Sequence, residues 1–223
     1  MTREIAFLDP IPTERQRRLE GRATPDPHAH ELWARALELQ ASPADKDRLL
    51  AAHEYALGIS YRHEGLASDA YAAHPLRVAA MALLCRATRG SEAGVVGLLH
   101  NILEVSDVGE QELRARFGAN VRAQVASLTV DRSRQWDLAY KRVYYETLNA
   151  GPAAARVVKV FDKVDNLFLL GLNSDASVKT KYAQEILAYI LPMAKRDIPA
   201  LTPYLMGLLN ETILAEKLEI SAA

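Results

Sequence analysis

The chain has 223 residues, of which 49% are hydrophobic and 25% are charged. This composition is typical of a folded protein and too apolar for a disordered one, and the length suits a single domain. The 27 basic and 28 acidic side chains leave a formal charge of −1, so neither a nucleic-acid partner nor a membrane surface is expected.

Cysteine content and the apolar runs restrict the class of protein further. The single cysteine, Cys85, excludes an internal disulfide and a cysteine-rich zinc site. The first residues lack the apolar run of a signal peptide, and no stretch approaches the length of a membrane span. These features predict a cytoplasmic protein.

The N-terminal segment differs in character from the rest of the chain. Residues 1–28 contain four prolines, which restrict the backbone, and a group of arginines that includes Arg15, Arg17 and Arg18. This pattern predicts an irregular, solvated arm. Residues 29–220 are expected to form one helical domain.

Apolar residues recur at helical spacing through that domain. Ser42-Pro43 is typical of a helix start, with Ser42 as the cap. Further helices are predicted over about 76–87, 91–104, 109–116, 121–129, 133–148, 153–170, 177–196 and 199–217. Because alternating strand patterns are absent, the sequence predicts an all-α protein, a compact bundle of about nine or ten helices.

A few polar residues stand out because their neighbours are apolar. His74 opens a helix, His100 and Asn101 end the run Val-Val-Gly-Leu-Leu, and Asp162 follows Val-Val-Lys-Val-Phe. A buried carboxylate needs a partner, since its desolvation costs several kcal/mol. A neighbouring lysine could supply that partner, and so could a metal ion, for which imidazole and carboxylate ligands suit Mn²⁺, Fe²⁺ or Zn²⁺.

Helical spacing groups two more residues with these. Glu104 lies four residues after His100, and Asn166 lies four residues after Asp162. Residues four apart share one face of a helix. Two helices could therefore converge with these polar faces, and His74 would come from a third helix.

Four segments, in this order, carry a family resemblance. They are His74-Pro75-Leu76-Arg77-Val78-Ala79, Gly97-Leu98-Leu99-His100-Asn101-Ile102-Leu103-Glu104, Phe117-Gly118 and Lys159-Val160-Phe161-Asp162-Lys163-Val164-Asp165-Asn166-Leu167. Over about residues 46–197 the chain resembles the HD-domain phosphohydrolases, in particular the (p)ppGpp hydrolases of RelA/SpoT proteins and the small alarmone hydrolases.

The resemblance implies a metal site and a substrate class. It implies one divalent ion, with Mn²⁺ expected and Fe²⁺, Zn²⁺ or Mg²⁺ as alternatives, bound by His74, His100, Asn101 and Asp162. It further implies that Glu104 activates the attacking water and that Arg62 and Asn166 contact a small nucleotide substrate.

Two departures from the family pattern leave alternatives open. Asn101 stands where the family has Asp, and Val105 replaces an acidic residue, for which Asp107 could substitute if the end of the helix reshapes. The first hypothesis is a metal-dependent phosphohydrolase of a nucleotide such as a guanosine 3′-pyrophosphate alarmone. The alternative is a catalytically degenerate HD domain, with weak or absent metal, that binds a nucleotide or a protein as a regulator. A third interpretation is a purely structural helical module.

One aromatic and basic segment also has two interpretations. Tyr140, Tyr144 and Tyr145, together with Lys141 and Arg142, could line a nucleotide cleft or form an exposed amphipathic face. The exposed face is the expectation.

Overall fold

The computed structural model describes residues 3–22, 26–62 and 68–221, and the regular elements in these ranges are helices. The α-helices are α1 (Ile11–Glu20), α2 (Pro27–Glu38), α3 (Pro43–Leu57), α4 (Ser68–Leu84), α5 (Glu92–Leu99), α6 (Ile102–Val105), α7 (Glu110–Leu128), α8 (Leu138–Ala150), α9 (Ala153–Leu169), α10 (Ala176–Glu185), α11 (Leu191–Asp197) and α12 (Thr202–Ser221). In the described ranges, ten of them have eight residues or more. The prediction of an all-α bundle of about nine or ten helices is confirmed.

Local sequence explains where several helices begin. The Ser42 side chain accepts a hydrogen bond from the backbone N–H of Asp45 at the predicted start of α3. Asp26 and Asp137 cap α2 and α8 in the same way. These side chains satisfy backbone donors that have no partner within the helix.

One predicted boundary is a kink instead. The sequence predicts separate helices on either side of Phe117-Gly118, whereas α7 runs through both regions and bends at Gly118. Gly118 has a φ of +87°, in the region that glycine tolerates best. The glycine therefore redirects the helix without ending it.

The helices α4, α5 and α9 pack together at the centre of the bundle. The apolar residues of α9, among them Val157, Val160 and Phe161, are fully buried. α5 approaches α4 very closely at Gly97, where a Cβ atom would lie 2.7 Å from the Cα of Ala79. Only glycine fits this contact, which fixes the separation of two central helices. None of the helices in the described ranges combines the length and the apolar character needed to cross a bilayer.

The prediction of an irregular, solvated N-terminal arm over residues 1–28 is wrong for much of its described part. Residues 11–20 form α1, and the preceding Phe7 and Leu8 lie in the core. Pro10 and Pro12 stand at the start of α1, where a missing N–H costs no helical hydrogen bond. Arg18 is 1% exposed because its charge is paired with Glu14 and Asp165.

Candidate metal centre and adjoining cavity

Three side chains from the central helices converge at one point. His74 lies within α4, His100 follows the last residue of α5, and Asp162 lies within α9. Each offers one ligand atom, and these atoms lie within 4.8 Å of one another. The Nε2 atoms of His74 and His100 are 3.4 Å and 3.7 Å from Oδ1 of Asp162. Ligands at tetrahedral angles with bonds of about 2.1 Å are about 3.4 Å apart, so the spacing suits a bound cation.

The hydrogen bonds of the two imidazoles orient them toward that point. Nδ1 of His74 is 2.8 Å from Oδ2 of Asp165, and Nδ1 of His100 is 2.7 Å from the carbonyl oxygen of Gly97. Since both partners are acceptors, each Nδ1 is the protonated nitrogen. Both Nε2 atoms are buried and lack a hydrogen-bond partner among the described residues. Their lone pairs face Asp162, so the residues present fit a divalent cation.

Asp162 is held as a carboxylate by its neighbours. Burial would raise its pKa, but the ammonium group of Lys159 outweighs burial and holds the pKa well below its usual range. Nζ of Lys159 lies 3.1 Å from Oδ2. Nδ2 of Asn166 donates to Oδ1 over 2.7 Å. The lysine partner considered from the sequence is therefore present, and Asn166 lies beside the ligands.

The structure places Asn101 in the wall of the adjoining cavity and Val105 outside that wall. Asn101 lines the cavity described below, and its Nδ2 donates to the hydroxyl of Tyr71 over 2.7 Å. Val105 is buried in a small apolar cluster with Tyr61 and Tyr71. The apolar side chain of Val105 therefore lies in apolar surroundings.

Arg62 and Asp107 form an ion pair with each other at the surface, with side chains 66% and 80% exposed. Asp107 therefore does not supply the carboxylate that Val105 lacks, because α6 ends at Val105, before Asp107 is reached. Arg62 is not among the described residues that line the cavity. Its role as a substrate contact stays a prediction.

Glu104 lies in α6 and lines the cavity. Its Oε1 accepts a hydrogen bond from the N–H of Val130 over 2.7 Å, and its Oε2 accepts from Nε of Arg132 over 2.8 Å. The carboxylate is only 4% exposed, so it is fixed in place. Its partner Arg132 was not identified from the sequence.

A cavity of about 640 Å³ opens beside the three converging side chains. Its wall is aromatic and basic, and includes Trp136, Tyr140, Lys141, Tyr144, Tyr145, Lys159 and Lys163. The expectation of an exposed amphipathic face is therefore wrong for the tyrosines and Lys141, whereas Arg142 is exposed. The polar side of α8 faces a cavity, which the periodicity of one helix cannot distinguish from solvent.

Three lysines of the cavity wall share two carboxylates. Lys141 and Lys163 both pair with the single carboxylate of Glu185. Burial lowers the pKa of Lys163. Nζ of Lys141 also lies 4.4 Å from the centroid of the Trp136 ring. The arrangement leaves positive charge available to an anionic ligand.

Comparisons with known proteins agree with these observations. No family model matches the chain. It is 26% identical over 156 residues to the guanosine-3′,5′-bis(diphosphate) 3′-pyrophosphohydrolase of Aquifex aeolicus (strain VF5). The aligned residues cover 69% of this chain and 22% of the relative. The chain thus spans about a fifth of the length of that relative.

A solved structure has a similar fold. It is that of a metazoan ortholog of SpoT that hydrolyzes ppGpp, and the match has a TM-score of 0.55 and 19% identity over 76% of this chain and 95% of the other. Sequence and fold similarity together confirm the resemblance of this chain to the HD-domain hydrolases of the RelA/SpoT type.

Proposed function

We propose that the chain is a metal-dependent phosphohydrolase of a nucleotide, with a guanosine 3′-pyrophosphate alarmone such as (p)ppGpp as its substrate, acting in the cytoplasm. The observation that carries the proposal is the convergence of two unpartnered Nε2 atoms and one carboxylate beside a basic, aromatic cavity. The similarity to a guanosine-3′,5′-bis(diphosphate) hydrolase supports the substrate class.

His74, His100 and Asp162 would hold the ion, and Asn101 is the proposed fourth ligand through its side-chain carbonyl. Mn²⁺ suits this mixture of nitrogen and oxygen donors, with Fe²⁺, Zn²⁺ and Mg²⁺ as alternatives. When bound, a divalent ion polarises a phosphoryl oxygen and lowers the pKa of water.

Residues of the cavity wall would handle the proton and the phosphates. Glu104 is the proposed general base, since a carboxylate has about four lone-pair sites and Val130 and Arg132 occupy only part of them. Lys159 and Lys163 would balance the negative charge of the phosphates. Asn166, four residues after Asp162, is the proposed contact to the sugar side of the nucleotide.

The aromatic wall would bind the base. Trp136 and Tyr140 line the same cavity as the lysines, so a nucleotide can place its base on a ring and its phosphates near ammonium groups. This combination favours a nucleotide over inorganic phosphate or a simple phosphate ester.

A second candidate function rests on two specific features. Asn101 gives the metal site no charge, and Glu104 is bound by Arg132 on the cavity wall. Both features favour slow hydrolysis of the nucleotide over fast hydrolysis. A domain that binds the same nucleotide and regulates another process without efficient turnover is therefore the alternative.

The experiment measures release of pyrophosphate from guanosine 3′,5′-bis(diphosphate) by the purified protein with Mn²⁺. We expect release that is lost in His100→Ala and Asp162→Asn and retained in His53→Ala, a half-buried histidine outside the cavity wall. Nucleotide binding without release would favour the regulatory alternative. Absence of both binding and release would refute the proposal.

A further inference from the structure

A second buried carboxylate stands directly behind the metal centre. Asp165 follows Asp162 by three residues on α9, and its side chain is 2% exposed. Its Oδ2 atom is 2.8 Å from Nδ1 of His74. Asp165 therefore contacts the one imidazole nitrogen that faces away from the candidate ion.

Two arginines from different helices hold this carboxylate. Arg77 of α4 donates from Nε to Oδ1 and from Nη2 to Oδ2, each over 2.9 Å. Arg18 of α1 donates from Nε to Oδ1 over 2.8 Å. Two guanidinium groups fix both the charge and the orientation of Asp165, so it can only accept a hydrogen bond from His74.

The arginines are themselves fixed. Arg18 is buried, pairs with Glu14 and lies with its guanidinium carbon 4.0 Å from the centroid of the Phe168 ring. Arg77 also pairs with Asp26, the residue that caps α2. The support for His74 thus involves α1, α4 and the cap of α2, and its members Arg18, Glu14 and Asp26 lie outside the four motifs of the sequence.

We infer that Asp165 is a positioning residue for His74, and that Arg18 makes the N-terminal helix part of the metal centre. Asp165 holds the Nδ1–H form of the ring, which leaves Nε2 free for the ion and increases its basicity. Carboxylates that hold a ligating histidine in this way contribute 10–100-fold to metal affinity in other proteins. The inference rests on the metal centre of the proposed function and does not depend on the substrate.

A matched control separates this role from simple ion pairing. Asp197 also accepts two hydrogen bonds from one arginine, from Nε and Nη2 of Arg156 over 2.8 Å and 2.9 Å. Its side chain is 10% exposed. Asp197→Asn therefore breaks a comparable, partly buried ion pair, and the described contacts of Asp197 are to arginines and not to an imidazole.

The test is calorimetric titration of the metal-free protein with Mn²⁺, alongside thermal melting of each variant. We expect Asp165→Asn to raise the dissociation constant for Mn²⁺ about 10–100-fold. Arg18→Gln should raise the dissociation constant by a smaller factor, and Asp197→Asn should leave it within about twofold of the wild-type value. Equal affinities for Asp165→Asn and Asp197→Asn would overturn the inference while leaving the proposed metal centre intact. No binding by the wild type would overturn both.

A second measurement reads the protonation of His74 in the wild-type protein itself. In ¹⁵N-histidine-labelled wild-type protein loaded with Zn²⁺, which is diamagnetic, long-range ¹H–¹⁵N spectra report which nitrogen carries the proton. We expect His74, assigned by its loss in His74→Gln, to show a protonated Nδ1 and a ligating Nε2. A ligating Nδ1 would overturn the inference even if Asp165→Asn fails to fold.

Discussion

Nδ2 of Asn101 donates a hydrogen bond to the hydroxyl of Tyr71 over 2.7 Å, at the edge of the site where His74, His100 and Asp162 converge. The side chain of Asn101 is uncharged there. Since ligating imidazoles are also neutral, only Asp162 among these four ligand candidates offers a negative charge. The affinity of the site for a divalent cation is therefore sensitive to position 101.

Asn101→Asp should increase the affinity for Mn²⁺ by about tenfold or more. A unit charge about 4 Å from a divalent ion contributes several kcal/mol at an effective dielectric constant of 20, of which desolvation of the new carboxylate offsets a part. Calorimetric titration measures the change. Tyr71→Phe is the control, because it removes the hydrogen-bond partner of Asn101 without changing the charge. Unchanged or weaker binding in Asn101→Asp would show that residue 101 does not face the ion.

His100→Ala should abolish stabilisation by metal. A ligand at a hundred times its dissociation constant stabilises the native state by about 2.7 kcal/mol. We expect the wild type to melt at a higher temperature when Mn²⁺ is added and His100→Ala to show no shift. His53→Ala should respond like the wild type. A full response in His100→Ala would place the ion elsewhere.

Gly97→Ala should destabilise the protein by about 1–3 kcal/mol, because overpacking a closed contact displaces the surrounding backbone. The new Cβ would meet the Cα of Ala79 at 2.7 Å. Because Gly97 also provides the carbonyl that holds His100, metal affinity should fall together with stability. Urea denaturation and metal titration measure the two effects. Gly171→Ala, where no atom lies within 4 Å of the new Cβ, should be close to neutral in both.

The ionised carboxylate of Glu14 should stabilise the fold above pH 4.5, and this stabilisation should disappear when acid protonates it. Burial would raise its pKa, but His28 and Arg18 outweigh burial and lower the pKa from 4.5 to about 2. Because the folded-state pKa is below the unfolded one, the stabilisation is present above pH 4.5 and disappears as the pH falls toward 2. Its size is about 3 kcal/mol, at 1.36 kcal/mol per pKa unit.

The comparison of wild type with Glu14→Gln checks this dependence. The difference in unfolding free energy should be largest near neutral pH and should shrink between pH 4.5 and 2. Glu110→Gln, at an exposed carboxylate, controls for the change in net charge. A difference that stays constant down to pH 2 would contradict the assignment of the stabilisation to the charge of Glu14.

The sequence predicted the parts of the site that depend on local pattern. His74, His100 and Asp162 interrupt apolar runs, and a polar residue inside such a run is a signal that one helix carries by itself. Arg132 and Asp165 carry no such signal, because their importance arises from partners on other helices. Similarly, the prolines around α1 suggested an irregular arm, whereas its burial depends on the distant Asp165.

The three ligand candidates, His74, His100 and Asp162, are 26 and 62 residues apart in the chain. An ion bound by all three closes two long loops and acts as a reversible cross-link. Because the unfolded chain has no preformed site, this cross-link is lost on unfolding. Chelation of the ion should therefore loosen the contact of α4 with α9 and expose the chain to proteases. The lifetime of the protein would then follow the supply of metal.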